Sequence, residues 1–152
     1  MLSAAVEGQA GFVVDERELD KSTPAYTAES LDALRAEYPD ASLCMIVGMD
    51  AFTGIDAWHR HDALLELAHI VVVHRPGADL PADGLAGELI AAHRIDASRL
   101  TASPAGGVVV QPVTQLEISS SAIRAAVKAG RSLRYLVPER VAGLIETSRC
   151  YG

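Results

Sequence analysis

The sequence predicts an α/β fold with a mostly parallel sheet. Short apolar runs bounded by turn residues alternate along the chain with amphipathic segments of helical period. The clearest run, residues 43–47, is too short for a helix and rich in β-branched and sulfur side chains. We expect it to be a strand that is buried on both faces and belongs to a right-handed βαβ unit.

The other elements follow from start and stop signals. The strands are expected at residues 12–14, 43–47, 70–73 and 108–110, the last ending at an edge because Pro112 follows. The helices are expected at residues 1–6 before Gly8, 27–38 before Pro39, 63–68, 85–93, 117–129 before Gly130, and from Pro138 onward. Thr27 is the expected N-cap of its helix, and the expected buried positions are Leu31, Leu34, Tyr38, Val141, Leu144 and Ile145.

Composition indicates one domain spanning residues 1–152. Hydrophobic residues make up 49% and charged residues 22%, and 20 acidic against 13 basic residues give a net charge of −7. That charge disfavours nucleic acid and anionic membrane as partners. Cys44 and Cys150 form no disulfide framework, no apolar run could span a bilayer, and the first residues lack a signal peptide. We therefore expect a cytoplasmic domain, and the sequence leaves a homo-oligomer open.

The end of the 43–47 strand is the first candidate site. Gly48 stops the strand, where a glycine lets a ligand approach the backbone, and Asp50 could accept hydrogen bonds from a ribose. A strand, a tight turn and a helix N-cap would give the same residues without any ligand.

The serine run at 119–121 is the second candidate site. Hydroxyl residues at a helix N-terminus form an anion site, and Arg124 and Lys128, four residues apart, would repel each other unless an anion compensates. A bound polyphosphate would do so. A serine N-cap with a solvated basic face is the alternative.

Aromatic and imidazole side chains form a third group. Trp58 and Tyr26 could stack on a flat heterocycle, although a lone tryptophan is more often a packing residue. His59 and His61 could begin a metal site, but nothing nearby completes a ligand set. The sequence contains no Gly-x-Ser-x-Gly elbow, Walker loop or Gly-x-Gly-x-x-Gly motif.

Taken in order, the segments resemble the bacterial nicotinate-nucleotide adenylyltransferase family over essentially the whole chain. The resemblance rests on four stretches: Asp-Glu-Arg-Glu-Leu at 15–19 leading to Pro24-x-Tyr26-Thr27; Val47-Gly48-x-Asp50 followed by Trp58; Leu-Ala-His at 67–69 through Val73-x-Arg75-Pro-Gly; and Ile118-Ser-Ser-Ser-x-Ile123-Arg124. In that family the last stretch usually has the sequence ISSTxIR, and related adenylyltransferases share this motif. The Pro-x-Tyr-Thr and Gly-x-Asp…Trp stretches make the nicotinate branch specific.

The resemblance implies a Rossmann-like nucleotidyltransferase fold and transfer of an adenylyl group from ATP to nicotinate mononucleotide. The products are nicotinate adenine dinucleotide and pyrophosphate, and Mg²⁺ is expected with the ATP. In this reading the ATP-binding residues are Gly48, Asp50, Ser119, Ser120, Ser121 and Arg124. The residues for the mononucleotide are Tyr26, Thr27, Trp58 and, at the border of the site, Arg75. Backbone N–H groups near Trp58 would meet the nicotinate carboxylate, so the acid should be preferred over the amide.

One family motif is absent from these 152 residues. The family opens with a strand and a loop of the form GGTFDPIHxGH, whose histidines bind the ATP phosphates and stabilise the transition state, and no such run occurs here. Met1 aligns inside the helix that follows that unit, so we expect a chain lacking it, or a misplaced start codon. Because flanking strands would then lack a neighbour, we expect poor stability and negligible turnover from this chain alone.

Two other functions stay open. One is a non-catalytic nucleotide-binding remnant, which would bind nucleotides without turnover. The other is a related adenylyltransferase such as the phosphopantetheine enzyme, for which Trp58 would be dispensable in substrate binding. An in-frame GGTFDPIHxGH codon run upstream of Met1 would decide for the nicotinate enzyme over the remnant.

Overall fold

The computed structural model describes residues 1–19, 21–74, 79–114, 116 and 118–151, and it confirms the α/β fold. Short 3₁₀ turns at Ile55–Ala57, His61–Ala63 and Ala97–Ala102 link some of the elements. The strands are β1 (Cys44–Gly48), β2 (His69–His74) and β3 (Val108–Pro112). The helices are α1 (Leu2–Val6), α2 (Thr27–Glu37), α3 (Met49–Phe52), α4 (Leu64–Leu67), α5 (Gly84–His93), α6 (Ser120–Lys128) and α7 (Glu139–Ser148).

The three strands form a parallel sheet in the order β1-β2-β3. Cys44 pairs with His69, and Ile70 pairs with Val108, so the strands are nearly in step. Their carboxyl ends therefore lie along one edge of the sheet, where α/β proteins bind ligands.

One face of this sheet carries the core. Val47, Ile70, Val72 and Val108 point to the same face and are buried. They pack with Ala28 and Leu31 of α2, Ala86 and Ile90 of α5, and the side chains of Phe52, Ile55, Leu64 and Ala68. Burial of these apolar side chains is the main stabilising term of this part of the chain.

The expectation that the 43–47 strand is buried on both faces is wrong. On the opposite face Ile46 is 71% exposed, and Cys44 is also exposed. The run is apolar at every position, but the described helices that pack on β1 cover only the Val47 face. A continuous apolar run shows that a strand tolerates burial, not that both faces are covered.

The amino ends of the strands are held by two polar side chains. His69 is fully buried: its Nδ1 accepts from the Gly107 N–H at 3.0 Å, so Nε2 carries the proton and donates to the Ser103 carbonyl at 2.9 Å. The Arg35 guanidinium of α2 donates six hydrogen bonds to five carbonyls, those of Leu67, Tyr38, Pro39, Ala41 and Pro104. These contacts join α2 to the segments that lead into all three strands.

A second, helical group has its own small core. Ile123 and Ala126 of α6 pack with Leu133 and with Val141 and Ile145 of α7. Half-buried Ala4 and Ala5 of α1 pack against the same cluster.

The chain divides into two compact groups of residues, Met1–Glu16 with Leu116–Gly152, and Arg17–Gln115. The expectation of a single domain over residues 1–152 stays a prediction. In the described part of the chain, no helix is long and apolar enough to cross a membrane.

Several local expectations are wrong. No strand forms at residues 12–14, where Phe12 is 67% and Val13 89% exposed. Tyr26, not Thr27, is the N-cap of α2, without a side-chain cap bond, so the helix begins one residue earlier than a Thr27 cap implies. Tyr38 is 53% exposed because it is the C-cap residue, beyond the last residue of α2. Leu144 is 40% exposed because it lies off the buried stripe of α7, which Val141 and Ile145 form.

Candidate functional site

The carboxyl end of β1 turns directly into a short helix. Gly48 is the last strand residue and the N-cap of α3, and Asp50 lies exposed in the first turn of that helix. A Cβ placed on Gly48 would lie 2.7 Å from Asp50 Oδ1, so the carboxylate folds back over the strand end. A hydrogen-bond acceptor is thus held at the ligand-binding edge of the sheet.

The start of α2 lies toward the same edge of the sheet, where the strands have their carboxyl ends. The carboxyl end of α2 leads into the amino end of β1, so the helix runs antiparallel to the strand and begins toward the carboxyl ends. The Tyr26 ring contacts the His59 ring, with centroids 4.2 Å apart and planes inclined by 30°. This contact brings the segment after Trp58 against the α2 N-terminus.

Arg60 forms a second contact between that segment and α2. Its guanidinium pairs with Asp32, and both side chains are nearly half exposed. The hydrogen bond and the charge of Asp32 raise the pKa of Arg60 above its ordinary value. Arg60 also has a left-handed backbone, with φ 53° and ψ 42°, a conformation that costs a non-glycine residue energy and so needs support from its surroundings.

Trp58 is half-buried. It follows a 3₁₀ turn at Ile55–Ala57, and its backbone N–H donates to the Ile55 carbonyl at 3.0 Å. Its side chain packs against the hydrophobic core of the sheet, but the residue is only partly buried. Packing and stacking on a ligand are therefore compatible for this side chain.

Open backbone donors surround the Tyr26–His59 contact. In the described part of the chain, nothing accepts a hydrogen bond from the backbone N–H groups of Thr27 or His59. The first N–H groups of an 11-residue helix also carry its partial positive charge. A carboxylate or phosphate would satisfy these donors.

The serine run caps α6, as its pattern indicates. Ser119 Oγ accepts from the Ala122 N–H at 3.1 Å, and Arg124 Nη2 donates to Ser121 Oγ at 3.1 Å. Ser120, Ser121 and Arg124 are exposed. The N-cap alternative therefore holds for Ser119, while the other two hydroxyls and the guanidinium still face solvent.

The described residues give no support to a metal at His59 and His61. No group of three or more His, Cys, Asp and Glu side chains in that part of the chain could hold an ion. His59 instead stacks on Tyr26. Arg75, the remaining expected site residue, lies outside the described residues.

Sequence reasoning missed His59, Arg60 and Asp32 as partners in this site. Asp32 and Arg60 are 28 positions apart, and nothing local connects them. The sequence shows Tyr26 just before the start of α2 and His59 just after Trp58, but the contact between them depends on how α2 packs.

A parallel sheet with polar groups gathered at its carboxyl edge is the arrangement of a nucleotide-binding α/β protein. The family model described as cytidylyltransferase-like matches residues 1–126, so the chain is a cytidylyltransferase-like nucleotidyltransferase. A solved structure, "Plasmodium falciparum nicotinic acid mononucleotide adenylyltransferase complexed with APC", superposes with a TM-score of 0.55 at 17% identity, covering 86% of this chain and 60% of that one. The same enzyme complexed with NaAD also superposes at 0.55. These two likenesses support the fold.

Three relatives, each named probable nicotinate-nucleotide adenylyltransferase, define the family more narrowly. The Hydrogenovibrio crunogenus protein is 40% identical over 151 residues, the Methylococcus capsulatus protein 41% over 149, and the Marinobacter nauticus protein 42% over 154. The matches cover 97–100% of this chain and 71% of each relative. The chain therefore belongs to the nicotinate-nucleotide adenylyltransferase family, and the resemblance drawn from its motifs is confirmed.

Proposed function

We propose that this chain binds nicotinate mononucleotide and ATP and serves the adenylyl transfer that forms nicotinate adenine dinucleotide in NAD biosynthesis. The observation that carries the proposal is the Tyr26–His59 contact, which joins the open end of α2 to the segment after Trp58. An aromatic surface and open N–H donors then lie together on the carboxyl side of a parallel sheet.

The mononucleotide half of the proposal uses that junction. Trp58, with Tyr26 nearby, offers an aromatic surface for the pyridine ring, and the N–H groups of Thr27 and His59 are available to its carboxylate. A neutral amide keeps one acceptor oxygen but replaces the other with an NH₂ donor, so one of these N–H groups would face a donor and stay unsatisfied. The acid should therefore be the preferred substrate. We assign Arg75 to the border of this half on the family resemblance alone.

The ATP half uses two places in the chain. Asp50, beyond Gly48, accepts hydrogen bonds from the adenosine ribose. The α6 N-terminus with Ser119, Ser120, Ser121 and Arg124 binds phosphate oxygens, because helix N–H groups, hydroxyls and a guanidinium are all donors to anions. Mg²⁺ is expected with the ATP phosphates, as the family resemblance implies.

The reaction needs no protein nucleophile. A 5′-phosphate oxygen of the mononucleotide attacks the α-phosphorus of ATP, a new P–O bond forms, and the bond to the pyrophosphate leaving group breaks. The residues named above align two anions and offset their charge. The GGTFDPIHxGH motif does not occur within these 152 residues, so we expect binding with negligible turnover from this chain alone.

Calorimetry with Trp58→Ala tests the mononucleotide half. Loss of stacking, about 1–3 kcal/mol, predicts an affinity for nicotinate mononucleotide at least fivefold lower, with ATP affinity unchanged. Tyr38→Ala removes an exposed aromatic residue at the other end of α2 and should change neither affinity. An unchanged mononucleotide affinity in Trp58→Ala would favour an adenylyltransferase of another phosphate.

Two further measurements define the activity. The unaltered chain should bind nicotinate mononucleotide more tightly than its amide counterpart, and equal affinities would contradict the carboxylate assignment. Dinucleotide formation from ATP at a rate normal for the family would contradict the expected lack of turnover. Tight binding without product, and no GGTFDPIHxGH codons upstream, would favour the non-catalytic alternative. A cytoplasmic location stays a prediction.

A further inference from the structure

The space beside Gly48 is already occupied. A Cβ at this position would lie 2.7 Å from Asp50 Oδ1 and 3.9 Å from Asp50 Cγ, and apart from its chain neighbours no other atom of the described residues comes within 4 Å. Gly48 has φ −71° and ψ 151°, a conformation that any residue adopts. Neither backbone strain nor crowding by the core requires glycine here, so the contact with the Asp50 carboxylate is the remaining local constraint.

A methyl group at Gly48 would displace a side chain and not the backbone. The clashing atom is the far end of the exposed Asp50 side chain, which can rotate away at little cost. The sheet register and the core around Val47 would be unaffected. The direction in which the carboxylate points would change.

We propose that Gly48 is a positioning residue that acts through Asp50, by leaving room for the carboxylate to lie over the end of β1. This deepens the proposed function and rests on it, because it makes recognition of the ribose hydroxyls depend on a residue that need not touch the nucleotide. The alternative is that a ligand itself approaches the Gly48 backbone. The two accounts differ in whether the effect of a methyl group requires Asp50.

A double-mutant cycle separates the two accounts. We would measure the affinities of ATP and of 2′,3′-dideoxy-ATP, which lacks both ribose hydroxyls, for the full chain and for Gly48→Ala, Asp50→Ala and the double variant. A hydrogen bond to a charged group predicts that the unaltered chain prefers ATP by about tenfold or more. Gly48→Ala should lose most of that preference, as Asp50→Ala does, and the double variant should equal Asp50→Ala.

Two outcomes would overturn the inference. A Gly48→Ala protein that retains the full preference would show that the carboxylate needs no such space. An equal loss of ATP affinity from Gly48→Ala with and without Asp50 would show that the ligand contacts the strand end directly. Gly54→Ala is the matched control and should retain the preference, since a Cβ there would meet, of the described residues beyond its chain neighbours, only the Ala51 carbonyl, at 3.9 Å.

Crystal structures of the unaltered chain and Gly48→Ala separate failure of the inference from failure of the proposed function. If Asp50 Oδ1 moves to at least 3.4 Å from the new Cβ, an ordinary contact distance, Gly48 sets the position of the carboxylate. If it moves while the unaltered chain shows no preference for ATP over the dideoxy analogue, the proposed ribose contact is wrong. If the carboxylate stays in place, the inference itself is wrong.

Discussion

The two ends of the sheet are built differently. At the amino end, both nitrogens of buried His69 and all three nitrogens of the Arg35 guanidinium have hydrogen-bond partners. At the carboxyl end, Asp50, Tyr26 and His59 are exposed, and backbone donors lack acceptors among the described residues. Stabilising contacts are thus concentrated at one end, and groups able to meet a ligand at the other. Substitutions at the amino end should therefore change stability, and those at the carboxyl end should change binding.

The largest effect is expected at His69. His69→Ala leaves a cavity and removes the partners of the Ser103 carbonyl and the Gly107 N–H, so the free energy of unfolding should fall by about 3–5 kcal/mol. Denaturant titration measures this change. His61→Ala, at a histidine outside these hydrogen bonds, is the control, and it should lower the free energy of unfolding far less. A loss below about 1 kcal/mol at His69 would break the contrast between the two ends.

Arg35 comes next. Arg35→Ala removes six hydrogen bonds, but the side chain is half-buried and water can reach some of the carbonyls, so we expect a loss of about 2–4 kcal/mol. Arg35→Lys should recover only part of it, because an ammonium cannot reach carbonyls on several segments at once. Thermal unfolding checks both variants, and Lys128→Ala, on an exposed cation, should be neutral. If Arg35→Lys recovered all of the lost stability, the positive charge of Arg35, and not the geometry of its hydrogen bonds, would stabilise the amino end of the sheet.

A pair of glycines compares the two ends directly. A Cβ at Gly107 would lie 2.2 Å from Ile95 Cδ1 and 3.0 Å from His69 Nδ1, so Gly107→Ala should cost about 1–3 kcal/mol. Gly54→Ala, on the carboxyl side, should be neutral or slightly stabilising because its site is open. Equal losses in urea unfolding would contradict the contrast. Adding Ile95→Val should restore part of the stability lost by Gly107→Ala.

The smallest effect on stability is expected from the Arg60–Asp32 pair. Both side chains are nearly half exposed, so solvent screens the pair and its coupling should be below about 1 kcal/mol. Asp32→Asn and Arg60→Gln should nevertheless weaken nicotinate mononucleotide binding by a few fold and leave ATP binding unchanged, since they loosen the segment after Trp58. A double-mutant cycle at low and high salt measures the coupling. A larger effect on unfolding than on binding would show that this pair stabilises the fold, as the contacts at the amino end of the sheet do.

Sequence reasoning recovered what depends on local signals. The apolar runs gave β1, β2 and β3, and Ser119 capped α6 as its pattern predicts, because strand periodicity and cap chemistry depend on residues close in sequence. The exposure of Ile46, the missing strand at 12–14 and the left-handed Arg60 depend on which elements pack nearby. The site was predicted as separate stretches. The contacts that join Tyr26 to His59 and Asp32 to Arg60 required the packed structure.

Trp58 is the single tryptophan of the chain. Because its indole is half-buried against the core and adjoins the proposed mononucleotide site, its emission spectrum reports on both unfolding and ligand arrival without any label. Light absorbed near the red edge of the protein band is taken up almost only by this one ring. A titration that shifts its emission therefore shows that the added compound changes the surroundings of Trp58.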